Sequence, residues 1–191
     1  MRISLLALAL FGMLADDWTK QKPQSIKKWI ITAQEIGAKY RNGATSAETD
    51  LRVEELAKEL ADKLDGSVIE FKTPVAEVNW KDGVATIKTK QELPLPKSPT
   101  PALPFTFLRS PLEFDMSQGE ATKIKPGDWL TFKGKVTFHS GRWGNVGDAT
   151  KSQQMYTLRH KFLGVGYLGT FTTTEYECQI DKKDVVEHWA K

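Results

Sequence analysis

The residues from which this chain could build chemistry are three histidines, one cysteine, two pairs of strand carboxylates and two glycine clusters. The most specific pattern is GVGYLG, Gly164 to Gly169, a letter-for-letter match to the G-x-G-x-x-G dinucleotide fingerprint. That fingerprint works only where its glycines turn a strand into a helix whose N-terminus meets a pyrophosphate. Here FTTTEYECQI follows, with Thr, Phe and Tyr in strand-like alternation. The 22 residues after Gly169 are too few to complete a βαβ unit and present a ribose-binding acid. The glycines are therefore expected at a junction between strands, and no nucleotide cofactor is expected.

The other candidates are weaker. GRWGNVG, from Gly141 to Gly147, lacks the Gly-Lys-Ser/Thr end of a phosphate loop and reads as a hairpin loop, although Arg142 and Trp143 pair a cation with a stacking surface. His139 and His160 fall on opposite strand faces, and His188 lies in the tail. No histidine lies four residues from another, so no metal site is expected. Glu113/Asp115 and Glu175/Glu177 are pairs two apart on strands and read as solvated faces, not as the cleft-spanning carboxylates of a glycosidase. Cys178 alternates with Tyr176 and Ile180 and is expected to be a small buried hydrophobe; a single cysteine forms no intramolecular disulfide. No catalytic residue emerges.

What remains is a basic face. Between Trp129 and Leu163, six cations (Lys133, Lys135, Arg142, Lys151, Arg159, Lys161) stand against one anion, Asp148, in a chain whose formal net charge is +3. In WLTFKGKVTFHS the apolar set Leu130, Phe132, Val136 and Phe138 faces one way. Trp129, Lys133, Lys135 and His139 face the other. The candidate ligand-binding set is thus Trp129, Lys133, Lys135, His139, Arg142, Trp143, Arg159 and Lys161, suited to an anionic ligand or a protein partner. The competing reading is a soluble sheet's charged coat, in which strand lysines block edge aggregation.

These residues need elements to position them. With 191 residues and 40% hydrophobic content, the chain is long and apolar enough for one real core. Met1 to Ala15 has the layout of a short secretory signal, with Arg2, an apolar run and a small residue before DDW. The run is too short to span a bilayer, and ISLLALAL lacks the polar face of an amphipathic helix. Residues 16–65 form a helical preface. Ser25 caps a first helix with the stripe Ile26, Trp29, Ile30, Ala33, Ile36, Tyr40. Thr45 and Glu48 have capping-box spacing for a second, with the stripe Val53, Leu56, Leu60, Leu64 and a stop at Gly66. From Ser67 the period changes to two, with a hairpin turning at Asp82-Gly83. A connector over 93–104, where five of twelve residues are Pro, leads to further strands interrupted at Pro111. The tail 184–191 is expected to be a short helix docking Val185 and Trp189. The prediction is α+β: N-terminal helices, then a small, mostly antiparallel β-barrel over 66–183.

The helix ending AKYRNG, then GSVIEFKTPVAEV and KPGDWLTFKGKVTF behind a secretion signal, resembles the tRNA_anti-like group of exported bacterial proteins. The similarity covers residues 66 to 180. It implies an OB-type barrel and supplies no catalytic residues. The chain departs from the group in lacking a lipobox cysteine, in its second helix and in the Pro-rich insertion. The expectation is an exported, non-enzymatic OB-like binding module. The alternatives are an intracellular nucleic-acid-binding OB protein, which would retain Met1 to Ala15, and an enzyme whose site is assembled from distant residues.

Overall fold

A computed structural model of the chain describes residues 17–90, 103–141, 153–163, 168–182 and 185–190. A 3-10 turn at Trp18–Lys20 and the two-residue strand β1 (Gln24–Ser25) precede helices α1 (Ile26–Ala38) and α2 (Ser46–Leu64). Then come β2 (Val68–Lys81), β3 (Val84–Thr89), β4 (Phe105–Arg109), β5 (Leu112–Asp115), the short α3 (Gln118–Ala121), β6 (Trp129–Ser140), β7 (Gln153–His160), β8 (Gly169–Lys182) and β9 (Val185–Ala190). Among the described residues the architecture is α+β, three helices with a mostly antiparallel, curled half-barrel sheet. No described helix is long and apolar enough to cross a membrane.

The helices begin where short polar side chains satisfy free N–H groups. Lys28 N–H donates to Ser25 Oγ (3.3 Å), and Glu48 N–H donates to Thr45 Oγ1 (3.2 Å). The return arm of the expected capping box goes to Ala44 N–H (2.7 Å), one residue earlier than the spacing suggests, and Glu48 also takes Arg52. A full capping box sits at Ser117/Glu120 of α3, which periodicity alone does not single out. The hairpin turns at Asp82-Gly83 with both residues at positive φ.

The sheet path is β4-β7-β8-β6-β2-β3-β5, with β1 added to β2 and β9 to β8. Its two ends, β4 and β5, are consecutive in the chain and separated only by Ser110-Pro111. The sheet must therefore curl until its edges meet. The kink at Pro111 lets one extended run leave β7 and join β3, where Val84 to Ile87 pair with Asp115 to Leu112. The long strand β2 carries the curl on the other side, pairing with β6 through residues 68–74 and with β3 beyond a bulge at Val75/Glu77.

The hydrophobic stripe of α1 lies against the inner face. Trp29 is fully buried, with Phe171 edge-on at 4.5 Å and Tyr156 and Phe107 at 6.1 and 6.5 Å. Gly37 permits the close approach, since a Cβ there would sit 2.8 Å from Cζ of Phe105. A second aromatic group, Phe71, Phe132 and Tyr176, fills the rest.

The tail corrects the expected helix. Val185–Ala190 is a strand, pairing antiparallel with Glu177–Lys182. β7 pairs with β8 only over Gly169–Thr173 and leaves the remaining edge of β8 open. Unpaired backbone groups on that edge reward a strand, while a six-residue helix would lack the length to stand alone.

Candidate functional site

Four of the candidate residues, Trp129, Lys133, Lys135 and His139, lie on β6, which runs between β2 and β8 and presents them as alternation requires. Leu130, Phe132 and Val136 are buried, while Trp129, Lys133, Lys135 and His139 alternate with them on the other side. Trp129 is 48% exposed, at the start of the strand. The Lys72 ammonium lies 5.9 Å from its ring centroid and forms an ion pair with Asp181. In register, Pro74 and Asp181 flank Trp129 across the two neighbouring strands.

The register also changes what the lysines are. Lys133 stands opposite Glu70 on β2 and Glu177 on β8; Lys135 stands opposite Glu175. Directly opposed residues share a face at about 5 Å between Cβ atoms. Three cations on this part of the sheet (Lys72, Lys133, Lys135) therefore meet four anions (Glu70, Glu175, Glu177, Asp181). Its charge is balanced, not basic. Lys133 is further engaged from above: its ammonium donates to Thr19 O (2.6 Å) and lies 5.7 Å from the Trp18 ring centroid.

The far end of the face is different. His139 Nε2 hydrogen-bonds Thr172 Oγ1 (2.9 Å), and His139 shares a row with Thr170 and Thr157. Arg159 and Lys161 are exposed, at and just past the end of β7. From Lys133 to His139 is six residues along one strand, roughly 20 Å, so the cations form two groups and not one groove. Arg142 and Trp143 lie outside the described residues, as do Lys151, Gly164 and Gly166.

Gly169 opens β8 directly, so the end of GVGYLG leads into a strand, as its sequence context predicts. A Cβ at Gly169 would lie 2.6 Å from the Phe138 ring. Its glycine is needed for strand packing. His160 faces inward and is buried, on the opposite side of the sheet from His139. Its Nε2 bonds Gly37 O (3.0 Å) and its Nδ1 accepts from Phe162 N–H (3.3 Å), which assigns the neutral Nε2–H tautomer. Burial lowers its pKa, and nearby Arg41 lowers it further, while the Gly37 carbonyl opposes both. Cys178 is buried, and burial pushes its thiol pKa up, away from the reactive thiolate. Among the described residues no three His, Cys, Asp or Glu side chains group as a metal site.

Sequence reasoning separated the lysines of β6 from the carboxylates of β2 and β8 that face them. Alternation places Lys133 and Lys135, and separately Glu175 and Glu177, on outward faces; only register shows that they are neighbours and that Glu70 joins them. No family model, no curated protein and no solved structure matches this chain.

Proposed function

We propose that this chain is an exported, non-enzymatic binding module with an OB-like barrel, which takes a ligand or partner through the outer face spanning residues 129–163. The observation that carries the reading is Trp129, an indole left about half exposed on a strand whose other face is buried from Leu130 to Val136, with Lys72 near its ring and paired with Asp181. Barrels of OB type combine such stacking aromatics with cations along one sheet face to hold single strands or sugars. The balanced charge beside Trp129 favours an uncharged stacking partner there. Arg159 and Lys161 supply the cations for an anionic group at the far end.

The test titrates the protein at low salt with a single-stranded oligonucleotide and, separately, with a neutral oligosaccharide. Trp129→Ala is expected to weaken binding without altering its salt dependence, because stacking is not a charge effect. Arg159→Gln with Lys161→Gln is expected to flatten the salt dependence of oligonucleotide binding, because fewer counterions are released. Failure of the unmutated protein to bind either probe refutes the reading. For export, N-terminal sequencing of the mature protein is expected to find Met1 to Ala15 removed; an intact Met1 overturns it.

A further inference from the structure

One part of the outer face is already occupied, and its occupant shows what chemistry it accepts. The chain enters the fold across this face. The side chain of Trp18 is buried (7% exposed), and the turn that carries it is held by Thr19 Oγ1 and Lys20, both of which engage the Asp17 carboxylate (2.6 and 2.9 Å). Four residues further on, β1 adds to β2 in parallel, Gln24 opposite Ile69 and Ser25 opposite Glu70. Glu70 is in turn the register partner of Lys133, whose ammonium meets the Trp18 ring and the Thr19 carbonyl. A strand added to a sheet edge, with one aromatic side chain seated beside it, is how many proteins recognise extended peptides.

Charge explains the choice of occupant. With Glu70 and Glu177 on both sides, Lys133 has its charge matched before anything binds. It can still offer an N–H donor to a neutral carbonyl and a cation to an indole face. An anion would meet two carboxylates at that spot, whereas the groups that reach Lys133, an indole ring and a backbone carbonyl, are neutral.

We propose that the surface formed by Lys133 and the β2 edge at Ile69–Glu70 is a recognition site for an extended, tryptophan-bearing peptide, held closed in this chain by its own residues Asp17–Ser25. An external segment of the same chemistry, including the corresponding segment of a second copy, competes with this one. The inference sharpens the binding reading above at one place on the same face. It is tested with the chain's own segment and a peptide copy of it, and with neither the oligonucleotide nor the oligosaccharide, so the two fail separately.

The experiment measures acylation of Lys133 in the full-length chain by mass-spectrometric mapping. In Trp18→Ala, Lys133 is expected to label about five- to tenfold faster than in the unmutated protein, as for release of a local contact. A synthetic peptide of residues 17–25 added to Trp18→Ala is expected to restore protection, while the same peptide with alanine for tryptophan is not. Equal labelling in the two proteins, or no protection by the tryptophan peptide, overturns the proposal. Lys133→Met provides an arm that leaves Trp18 in place. It keeps an apolar stem and removes the ammonium, so tryptic cleavage at Lys20–Gln21 is expected to accelerate by a similar factor, and Lys133→Arg is expected to return it towards the unmutated rate. Unchanged cleavage in Lys133→Met also refutes the site, whether or not Trp18→Ala folds.

Discussion

The two edges of the curled sheet end in the same chemical device, delivered from two different places. On β4, Gln34 of α1 takes Phe105 by both backbone groups: Phe105 N–H donates to Oε1 (3.0 Å) and Nε2 donates to Phe105 O (3.2 Å). On β5, Gln153 of β7 does the same to Glu113, accepting from its N–H (2.8 Å) and donating to its carbonyl, and its Nε2 also meets Tyr176 Oη (3.1 Å). Each primary amide imitates one residue of a missing neighbouring strand. The difference lies in what is joined. Gln34 fastens a helix to the inner side of one edge, whereas Gln153 closes the seam where the kinked β4–β5 run departs from β7. An edge strand is a hazard because of its unpaired groups; here a side chain answers for one residue at each edge.

This comparison can be broken by removing each amide in turn. Gln34→Ala leaves a buried N–H and a buried C=O without partners, each worth about 1–3 kcal/mol. The variant is expected to lose about 2–4 kcal/mol in urea unfolding. Gln153→Ala strips a site whose strand is partly open to water, so a loss of about 1–3 kcal/mol is expected. Gln153→Met, which restores volume without the amide, should recover little. Recovery of most of the stability by Met would show that packing, and not strand mimicry, is what Gln153 supplies.

A smaller effect comes from His160, which joins β7 to the end of α1 beside the Gln34 contact. Its folded pKa lies below the ordinary 6.5, so the unfolded chain takes up the proton more readily. Stability from this group is complete above pH 6.5 and is lost as the pH falls from there through the lowered folded value. Urea midpoints measured between pH 7.5 and 5 should decline, and His160→Gln should flatten that decline. An equal decline in the variant would assign the acid sensitivity elsewhere. The smallest effect is expected outside the barrel. Lys135→Gln, on the solvated face opposite Glu175, should change stability by no more than about 0.5 kcal/mol. A larger loss would mean that the outer rows hold the sheet together as the inner amides do.

Much of the fold is legible in the chain. The stripe from Ile26 to Ile36 marks the buried side of α1, and Gly66 with φ +70° marks the stop after α2. Alternation through Trp129–Ser140 assigns faces that the burial of Leu130, Phe132 and Val136 matches. Gln34 and Gln153 were not legible. A glutamine inside an apolar pattern looks like an interruption until the strand that it completes is in place. The same limit applies to the candidate site, where Lys133 and Lys135 read as a basic patch because Glu70 lies 63 residues before Lys133, and Glu177 and Glu175 lie 44 and 40 residues after Lys133 and Lys135.

Local rules along the chain place α1 and α2, the alternation of the long strands and the residues that point outward from them. Local backbone sterics, capping hydrogen bonds and hydrophobic period act over a few residues, so they are written in a few residues. Which strands are neighbours, that β4 and β5 close a curl, that Val185–Ala190 pair with β8 and that Trp18 covers Lys133 follow from folding alone. Each of these pairs groups distant along the chain. Coulomb and hydrogen-bond energies depend on the distance in space at which charges and dipoles meet. A lysine's role on this face was therefore settled by the carboxylates and the carbonyl that folding brought beside it.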